Sequence, residues 1–398
     1  MTGEPSPARG ASLPLEGLLV LDLGTVLMAP YAGQWLADLG ANVIKVEAPG
    51  GDITRFTGPS NEPGMAAIFL GLNRNKRSIV LDLKEAEGVA ALLRLADNAD
   101  ILLHNNRPQK MKALGLDADS LRRRNPRLVY ACLHGFGEAG PYGGRPAYDD
   151  VIQGMSGIAD LMGQRTGVPQ YMPSVVADKT TGLFGVIAIL AALSKRDRTG
   201  VGGYVEIPMF ESMVAFTAVE HLYGRHFEPA KGPAAYPRVL TPERRPYATL
   251  DGYICVMPYT DQHWMNLFAE CDRADLARDG RYSDITKRTH NIESLYAELA
   301  SILASRQTSA WLDAFNRLEI PCAPVKTLSE LVVDPHLVQT DFFVLIDEPD
   351  GSALRFPGVP VLFDGIRPPV RKPPRLGEHT RDVLDAVNIA RSDTAPSS

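Results

Sequence analysis

The carboxylate best placed for catalysis in this sequence belongs to Asp178, which stands at the start of a long apolar run. Small or apolar residues precede it in PSVVADKTTGLFGVIAILAALSKR (173–196), small residues follow it, and an almost wholly apolar stretch begins at Leu183. An aspartate placed this way commonly caps a helix and interacts favourably with the helix dipole. A carboxylate in a partly buried place with space beside it can also act as a covalent nucleophile. The residues themselves leave both interpretations open.

Two basic clusters offer charges for an anionic ligand. One lies in NRNKRS (73–78), just before a predicted strand, and the other in HNNRPQKMK (104–112), just after one. Loops of α/β domains often hold phosphate through such side chains. Charge runs of this kind are also common on solvated surfaces, so the clusters are plausible phosphate contacts without being specific.

The segment GFGEAG (135–140) fits the GxGxxG pattern of dinucleotide sites and follows a predicted strand. Two prolines and two more glycines come directly after it, which disfavours the helix N-terminus that would receive a pyrophosphate. We therefore interpret it as a glycine-rich loop. The histidines and the four cysteines show no metal-ligand spacing, and the cysteines are predicted to be reduced thiols.

Composition narrows the class of protein. The chain has 398 residues, with 41 basic and 47 acidic residues and a formal net charge of −6. This balance argues against a nucleic-acid partner, which would need a basic face. The N-terminal segment has no signal-peptide layout, and the apolar run at 183–193 is shorter than the ~20 residues that span a bilayer. We expect a disordered tail at 1–13 and a soluble cytoplasmic protein without a membrane partner.

The elements that must position these residues alternate between strands and helices. Apolar strands are predicted at 18–23, 41–47, 78–83, 101–106 and 128–137, with amphipathic helical segments between them. This alternation predicts an α/β domain with a mostly parallel sheet. The length of the chain favours two domains.

Several stretches, in order and spacing, together resemble the class III CoA-transferases, the CaiB/BaiF or formyl-CoA transferase type. The likeness runs from about residue 14 to 386. It rests on LEGLLVLDLGTVLMAPYAGQWLADLGANVIKVEAPGGDITR, LNRNKRSIVLDLK, HNNRPQKMKALGL, GFGEAGPYGGRPAYDDVIQGMSG, VADKTTGLFGVIAILAALSKRDRTGVG, IPCAPV, DPHL and LGEHT.

The resemblance implies a Rossmann-like large α/β domain at 14–224 and 316–398 that binds CoA. A smaller α+β domain with linkers would occupy 225–315. Two chains would interlock as a homodimer. The implied activity moves coenzyme A from an acyl-CoA thioester to a small free carboxylic acid, so that CoA is a substrate and no tightly bound cofactor or metal is needed.

The resemblance also assigns residues. The family's catalytic aspartate falls on Asp178, which would form an aspartyl-CoA thioester, and an ordinary carboxylate is ionised at neutral pH without a general base. The implied CoA-site residues are Met28, Leu81, Lys84, Asn105, Arg107, Lys112, Arg145, Tyr148 and Asp149. Tyr148 and Asp149 would lie near the thioester, and Lys112 and Arg145 could contact phosphate.

Departures from the family pattern leave the identity of the donor and acceptor carboxylic acids open. Leu27 stands where formyl-CoA transferases have glutamine, and PERRPYAT (242–249) replaces their glycine run. Arginines there could grip the second carboxylate of a dicarboxylic acid such as succinate. The alternatives are an α-methylacyl-CoA racemase or epimerase and a non-catalytic CoA-binding protein. Tyr148 stands where the racemases have histidine, and a tyrosine is a poor base for an α-proton.

Overall fold

The computed structural model describes residues 12–392, so residues 1–11 of the predicted tail lie outside the described residues. The chain forms two compact units. The first contains the chain up to Ser156, Pro173–Ala215 and the chain from His336 onwards, and the second contains Gly157–Met172 and Phe216–Pro335. Residues 316–335 thus belong to the second unit. The assignment of 14–224 with 316–398 and of 225–315 to two domains stays a prediction.

The first unit is built on a six-stranded sheet with the order β3-β2-β1-β4-β5-β6. Its strands are β1 (Leu19–Asp22), β2 (Asn42–Glu47), β3 (Arg77–Val80), β4 (Ile101–His104), β5 (Val129–His134) and β6 (Gly203–Pro208). All neighbouring strands are parallel, which confirms the predicted α/β class. The strand order reverses between β1 and β4, and the crevice beyond the strands at such a point is where α/β sheets bind ligands.

The remaining strands are β7 (Tyr247–Ala248), β8 (Tyr253–Val256), β9 (Cys322–Pro324), β10 (Phe343–Asp347) and β11 (Ala353–Pro357). The helices are α1 (Met28–Asp38), α2 (Ala67–Asn73), α3 (Ala86–Ala96), α4 (Pro108–Ala113), α5 (Ala118–Arg124), α6 (Asp149–Met155), α7 (Ile158–Thr166), α8 (Val176–Thr199), α9 (Met209–His221), α10 (Pro237–Leu240), α11 (Asp261–Glu270), α12 (Ala274–Ala277), α13 (Ile285–His290), α14 (Ile292–Leu303), α15 (Thr308–Arg317), α16 (Leu328–Leu331), α17 (Pro335–Gln339) and α18 (Thr380–Ser392). Short 3-10 turns lie at Ile53–Phe56, Tyr223–His226 and Gly280–Tyr282.

The central strands are apolar because helices cover both faces of the sheet. Every residue of β4 and β5 is buried. The strand predicted at 128–137 ends at His134, because the glycines that follow turn the chain into a loop.

Two of the three cations in the basic cluster at 73–78 are buried in ion pairs rather than exposed to solvent or to a phosphate. The Lys76 Nζ lies 2.8 Å from an Asp22 carboxylate oxygen, and both side chains are fully buried. Arg74 pairs with Asp38 at 2.7 Å. Buried charges are tolerated when they are paired in this way. The two cations therefore tie the end of α2 to β1 and α1.

A second buried network supports the loop after β1. Asp52 accepts hydrogen bonds from Lys45 Nζ at 3.0 Å and from the Val26 backbone amide at 3.2 Å. Lys45 Nζ also donates to the carbonyl of Gly24 at 2.8 Å. Val26 has a φ of 67°, an unusual conformation for a β-branched residue, and such residues persist only when their surroundings enforce them. Lys45 and Asp52 provide that support.

Helix α8 packs one side against the rest of its unit and leaves the other side exposed. Thr181, Gly185 and Ile189 are buried, whereas Leu183 and Ile187 are 40% and 62% exposed. The almost wholly apolar stretch from Leu183 is therefore buried on one side only in the single chain.

Helix α8 is longer than the apolar run at 183–193 suggested. By length and composition it could cross a membrane, with a mean hydropathy of 1.6 over its most apolar 18 residues. The core helices of soluble proteins can be equally long and apolar, and 39% of these 18 residues are buried in the fold.

Gly182 allows α1 and α8 to approach closely, and we expect Gly182→Ala to destabilise the protein by roughly 1–3 kcal/mol through overpacking. A Cβ at Gly182 would lie 2.9 Å from the backbone oxygen of Met28 and 3.0 Å from the Tyr31 ring. Gly71→Ala in α2 is the matched control, because a Cβ there meets nothing within 4 Å and alanine favours a helix. Urea unfolding of both variants checks this, and equal midpoints would contradict it.

The second unit has a core of its own. Its antiparallel sheet has the order β7-β8-β9, and β7 and β8 form a hairpin around Asp251–Gly252. Large aromatic side chains of α11, α14 and α15 fill the core, among them Trp264, Tyr296 and Trp311.

Candidate active site

A cleft of about 200 Å³ opens at the carboxyl edge of the parallel sheet, where the loops after β1 and β4 meet. The two loops are joined by Asn105. Its Oδ1 accepts a hydrogen bond from the Thr25 amide at 2.9 Å, and its Nδ2 donates to the Thr25 carbonyl at 2.8 Å. The cleft therefore lies at the reversal of strand order, the place where this topology predicts a ligand.

Asp178 lines this cleft from the first turn of α8. It does not cap the helix, because the residue at the N-cap is Val175 and no side chain there makes a capping bond. The cap comes from Asp149, whose Oδ1 accepts the backbone amides of Ala177 at 2.7 Å and of Asp178 at 3.0 Å. The capping interpretation of Asp178 is therefore wrong, and its carboxylate is left available.

Burial, and then the negative charge of Asp149, raise the pKa of Asp178 to about 7. The expectation that Asp178 is fully ionised at neutral pH is thus corrected, because a group with this pKa is about half protonated at pH 7. Perturbed carboxyls in clefts are typical of functional sites.

Several of the predicted site residues lie together in the cleft. Alongside Asp178, its lining includes Met28, Asn105, Arg107, Arg145 and Tyr148. The Arg145 guanidinium lies over the Tyr142 ring at 4.7 Å. Within the described residues, neither Arg107 nor Arg145 forms an ion pair with an acid. Both guanidinium groups are exposed cations that can contact an anionic substrate.

The other predicted residues lie in neighbouring cavities. Leu81 and Lys84 line a cavity of about 190 Å³ with Asn106 and Lys110, and Thr25 is common to this cavity and the cleft. Lys112 lines a cavity of about 490 Å³ that shares Pro108 and Glu138 with the cleft. Asp149 is buried behind the cleft. Their roles in CoA binding stay predictions.

The sequence did not single out two groups of lining residues. One is the backbone of Thr25 and Val26, which could have been noted because these residues lie in the loop after the first strand. The other is His134 with Glu138 at the end of β5. The His134 Nε2 lies 3.0 Å from a carboxylate oxygen of Glu206. A histidine at the carboxyl end of a buried strand could have been noted as a residue at the edge of the sheet.

The glycine-rich loop at 135–140 has carboxylates where a nucleotide loop has phosphate. The Gly137 amide donates to Glu211 at 3.0 Å, and the Glu138 amide donates to Glu206 at 2.8 Å. The Gly144 amide donates to Glu138 at 3.2 Å. No helix follows the loop until α6 begins at Asp149, which confirms the prediction that no helix N-terminus opens directly after it.

The second unit carries its own cavity of about 470 Å³, lined by Arg244 and Arg245 together with Tyr247, Met257 and Tyr296. Arg245 pairs with Glu243 at 3.2 Å, and its side chain is more than half exposed. The PERRPYAT segment thus places two cations at the wall of a partly apolar cavity. Across residues 12–392, no group of three or more His, Cys, Asp or Glu residues could hold a metal ion.

Comparison with known proteins places these features in a family. Residues 15–380 match the family described as "CoA-transferase family III". The chain is 32% identical over 387 residues to the succinyl-CoA:mesaconate CoA-transferase of Haloarcula hispanica, covering 94% of this chain and 96% of that one. It is 34% identical over 403 residues to the succinate–glutarate CoA-transferase of Agrobacterium fabrum, covering 96% and 98%.

A solved structure is also similar. The Mycobacterium tuberculosis protein Rv3272, named a probable fatty acyl-CoA transferase, is 33% identical over 97% of this chain and 100% of its own. Its crystal structure superposes with a TM-score of 0.80 at 34% identity, covering 93% of this chain and 99% of that chain.

Proposed function

Because this chain belongs to CoA-transferase family III, we propose that it transfers coenzyme A from an acyl-CoA thioester to a free carboxylic acid through a covalent intermediate on Asp178. The activity class follows from the family and from the relatives' names. The observation that supports the role of Asp178 is its carboxylate, which lines the cleft without serving as a helix cap. Coenzyme A is then a substrate rather than a resident cofactor.

The proposed reaction exchanges acyl bonds in four steps. A carboxylate oxygen of Asp178 attacks the thioester carbonyl, the C–S bond breaks, and an anhydride and the CoA thiolate form. The thiolate attacks the Asp178 carbonyl carbon, which releases the donor acid as a carboxylate and leaves an aspartyl-CoA thioester. The acceptor carboxylate attacks this thioester, and the thiolate then attacks the acceptor's carbonyl. Asp178 is regenerated without net proton transfer.

Arg107, Arg145 and Asn105 are suited to hold the substrates. The two exposed guanidinium groups can pair with phosphate or carboxylate, since arginine recognises both with paired donors. Asn105 fixes the loops after β1 and β4 to each other. Met28 and Tyr148 add apolar surface beside Asp178. We propose these five residues as the core of the acyl-CoA site, with Leu81, Lys84 and Lys112 in the adjoining cavities.

Mass spectrometry of the full chain mixed with a panel of acyl-CoAs tests the proposal. We expect a mass increase equal to CoA minus water, located on Asp178 and released by hydroxylamine. The panel should include acetyl-CoA, succinyl-CoA and a long-chain acyl-CoA. Failure of every acyl-CoA to modify the protein would favour the alternative of a non-catalytic CoA-binding protein. Deuterium from solvent at the α-carbon of a 2-methylacyl-CoA would instead favour a racemase.

We propose a dicarboxylate such as succinate as one of the acids. Support comes from the relatives named for succinyl-CoA, mesaconate and glutarate and from the two arginines of the PERRPYAT segment. We expect the double variant Arg244→Ala/Arg245→Ala to raise KM for succinate at least about 10-fold, because each charged contact contributes about 1.5–3 kcal/mol. Steady-state assays with succinate and acetate check this.

The acetate assay and a second variant serve as controls. Acetate has one carboxylate, so its KM should change little in the double variant. Arg281→Ala removes another exposed arginine of the second unit, one that pairs with Asp279, and should leave both KM values unchanged. An unchanged KM for succinate in the double variant would remove the dicarboxylate hypothesis.

We further propose that two copies of the chain associate and that the protein works in the cytoplasm. The exposed side of α8 supports association, because Leu183, Phe184 and Ile187 form an apolar strip on the single chain. The acidic net charge supports neither a nucleic-acid nor an anionic-membrane partner. Light scattering of the purified chain measures its oligomeric state.

A further inference from the structure

Two aspartates meet at the first turn of α8, and they have opposite environments. Asp149 is 5% exposed and fully engaged. Its Oδ1 accepts the two backbone amides of the turn, and its Oδ2 accepts a bond from the Gln153 side chain at 2.6 Å. Asp178 lies on the same turn, but among the described residues no hydrogen-bond donor or cation stabilises its charge.

We propose that Asp149 is a positioning residue that keeps the Asp178 carboxylate electrostatically destabilised, so that conversion of Asp178 into an uncharged CoA thioester is favoured. This inference rests on the proposed function of Asp178. It assigns to Asp149 a role other than contact with CoA, because both carboxylate oxygens of Asp149 already accept hydrogen bonds from the protein.

The argument begins with the helix end. The free amides of a helix N-terminus normally stabilise a negative charge beside them. Here Asp149 accepts the amides of Ala177 and Asp178 itself. The nearest backbone donors are therefore not available to the Asp178 carboxylate. The negative charge of Asp149, which accepts those amides, also repels the charge of Asp178. A like charge nearby disfavours ionisation, in agreement with the raised pKa of Asp178.

The surrounding groups do not offset this effect. Lys179, the next residue on α8, directs its Nζ to the Ser174 hydroxyl at 2.6 Å. The other titratable or charged groups on the elements packed against α8, which are α1, α6, β5 and β6, and along the cleft are Tyr31, Asp38, Arg107, Tyr130, Cys132, His134, Glu138, Arg145, Tyr148, Asp149, Asp150, Tyr204 and Glu206. Of these, the charge of Asp149 is the one that shifts the pKa of Asp178.

The consequence for the reaction follows from charge balance. Forming the intermediate converts the Asp178 carboxylate and an acyl-CoA into an aspartyl-CoA thioester and a free acid anion. One C–S bond breaks and another forms, and no proton is gained or lost. The negative charge leaves the buried turn with the released acid, so the repulsion between the two aspartates ends when the thioester forms. Removing the charge of Asp149 should therefore make the intermediate less favourable.

Asp149→Asn tests this inference in the full chain with succinyl-CoA as the probe. Asparagine keeps an oxygen that can accept the two amides, but it has no charge. In single-turnover mass spectrometry, wild-type adduct formation should rise with pH through a midpoint of about 7. The variant's midpoint should lie about one pH unit lower or more. At pH 8, with succinyl-CoA and succinate held at fixed concentrations, the variant's equilibrium ratio of adduct to free enzyme should be about 10-fold lower than that of the wild type.

Matched variants separate charge from structure. Asp149→Glu keeps the charge and should retain a midpoint near that of the wild type. Asp150→Asn removes the exposed neighbouring acid of α6 and should change neither quantity. If Asp149→Asn does not fold by circular dichroism, Asp149→Ser provides an uncharged oxygen in its place. A midpoint within about 0.3 units of the wild type, with the adduct still forming, would overturn the role of Asp149 alone. The absence of an adduct on the wild type with every acyl-CoA of the panel would instead overturn the proposed function.

Discussion

Replacing Asp178 with alanine is expected to lower the rate of CoA transfer at least about 1000-fold, because it removes the group that forms the covalent intermediate. The carboxylate lines the cleft and makes no capping bond, so its loss should leave the start of α8 intact. Asp149 still accepts the amides of residues 177 and 178 in the variant. The measurement is kcat with the best acyl-CoA and acid pair, together with the CoA adduct by mass spectrometry.

The control for this variant is Asp150→Ala. Asp150 is an exposed acid one residue from Asp149, and it should give wild-type kcat and a wild-type adduct. Circular dichroism should show that both variants are folded. A residual kcat within about 10-fold of the wild type in Asp178→Ala would mean that the covalent step proceeds elsewhere.

Replacing Asp178 with asparagine is expected to stabilise the protein at pH 8 by roughly 2–4 kcal/mol, even though it removes activity. The folded pKa of Asp178 is about 7 and the ordinary value is 3.8, so the folded protein binds this proton more tightly than the unfolded chain. The stabilisation from the bound proton is complete below the unfolded pKa and is lost as the pH rises from about 4 to 7. Asparagine carries no charge at any pH and therefore avoids this loss.

Urea unfolding at pH 8 and at pH 4.5 measures the effect. The stabilisation by Asp178→Asn should be fully developed at pH 8 and should shrink towards zero at the lower pH. Asp150→Asn should change the free energy of unfolding by less than about 0.5 kcal/mol at both values, as is usual for surface substitutions. An equal gain for Asp178→Asn at both pH values would show that packing, rather than charge, produces the stabilisation.

Local sequence patterns were sufficient for the sheet, whereas the candidate nucleophile was assigned from the family resemblance. Apolar runs such as ILLH in β4 are long enough to identify buried parallel strands. The small residues and the apolar helix around Asp178 allowed both a helix cap and a nucleophile, and the resemblance selected the nucleophile. The resemblance also supplied Asn105 and Arg107, and their place in the loop after β4 agrees with the rule that ligands bind at the carboxyl ends of parallel strands.

Local sequence patterns could not predict contacts between residues that are far apart in the chain. Lys76 lies 54 positions from its partner Asp22, and nothing in NRNKRS indicates whether a cation faces solvent or a buried acid. The cap of α8 comes from Asp149, 29 positions earlier, so a local search for an N-cap selected the wrong acid. The pKa of Asp178 depends on that same contact and could not be known without it.

The backbone conformation of the loop after β1 could not be predicted from the sequence either. Val26 adopts a positive φ that its residue type disfavours. Its conformation depends on Asp52, which lies beyond a helix and a strand. Residue-type preference alone therefore could not place Val26 at the wall of the cleft.

The glycine-rich loop has a further consequence for ligand discrimination. Its segment looks most like a nicotinamide or flavin site, yet the carboxylates of Glu138, Glu206 and Glu211 already fill the positions that an incoming pyrophosphate would need. The backbone amides of Gly137 and Glu138 are therefore already bonded within the protein, and they are not available to a dinucleotide's pyrophosphate.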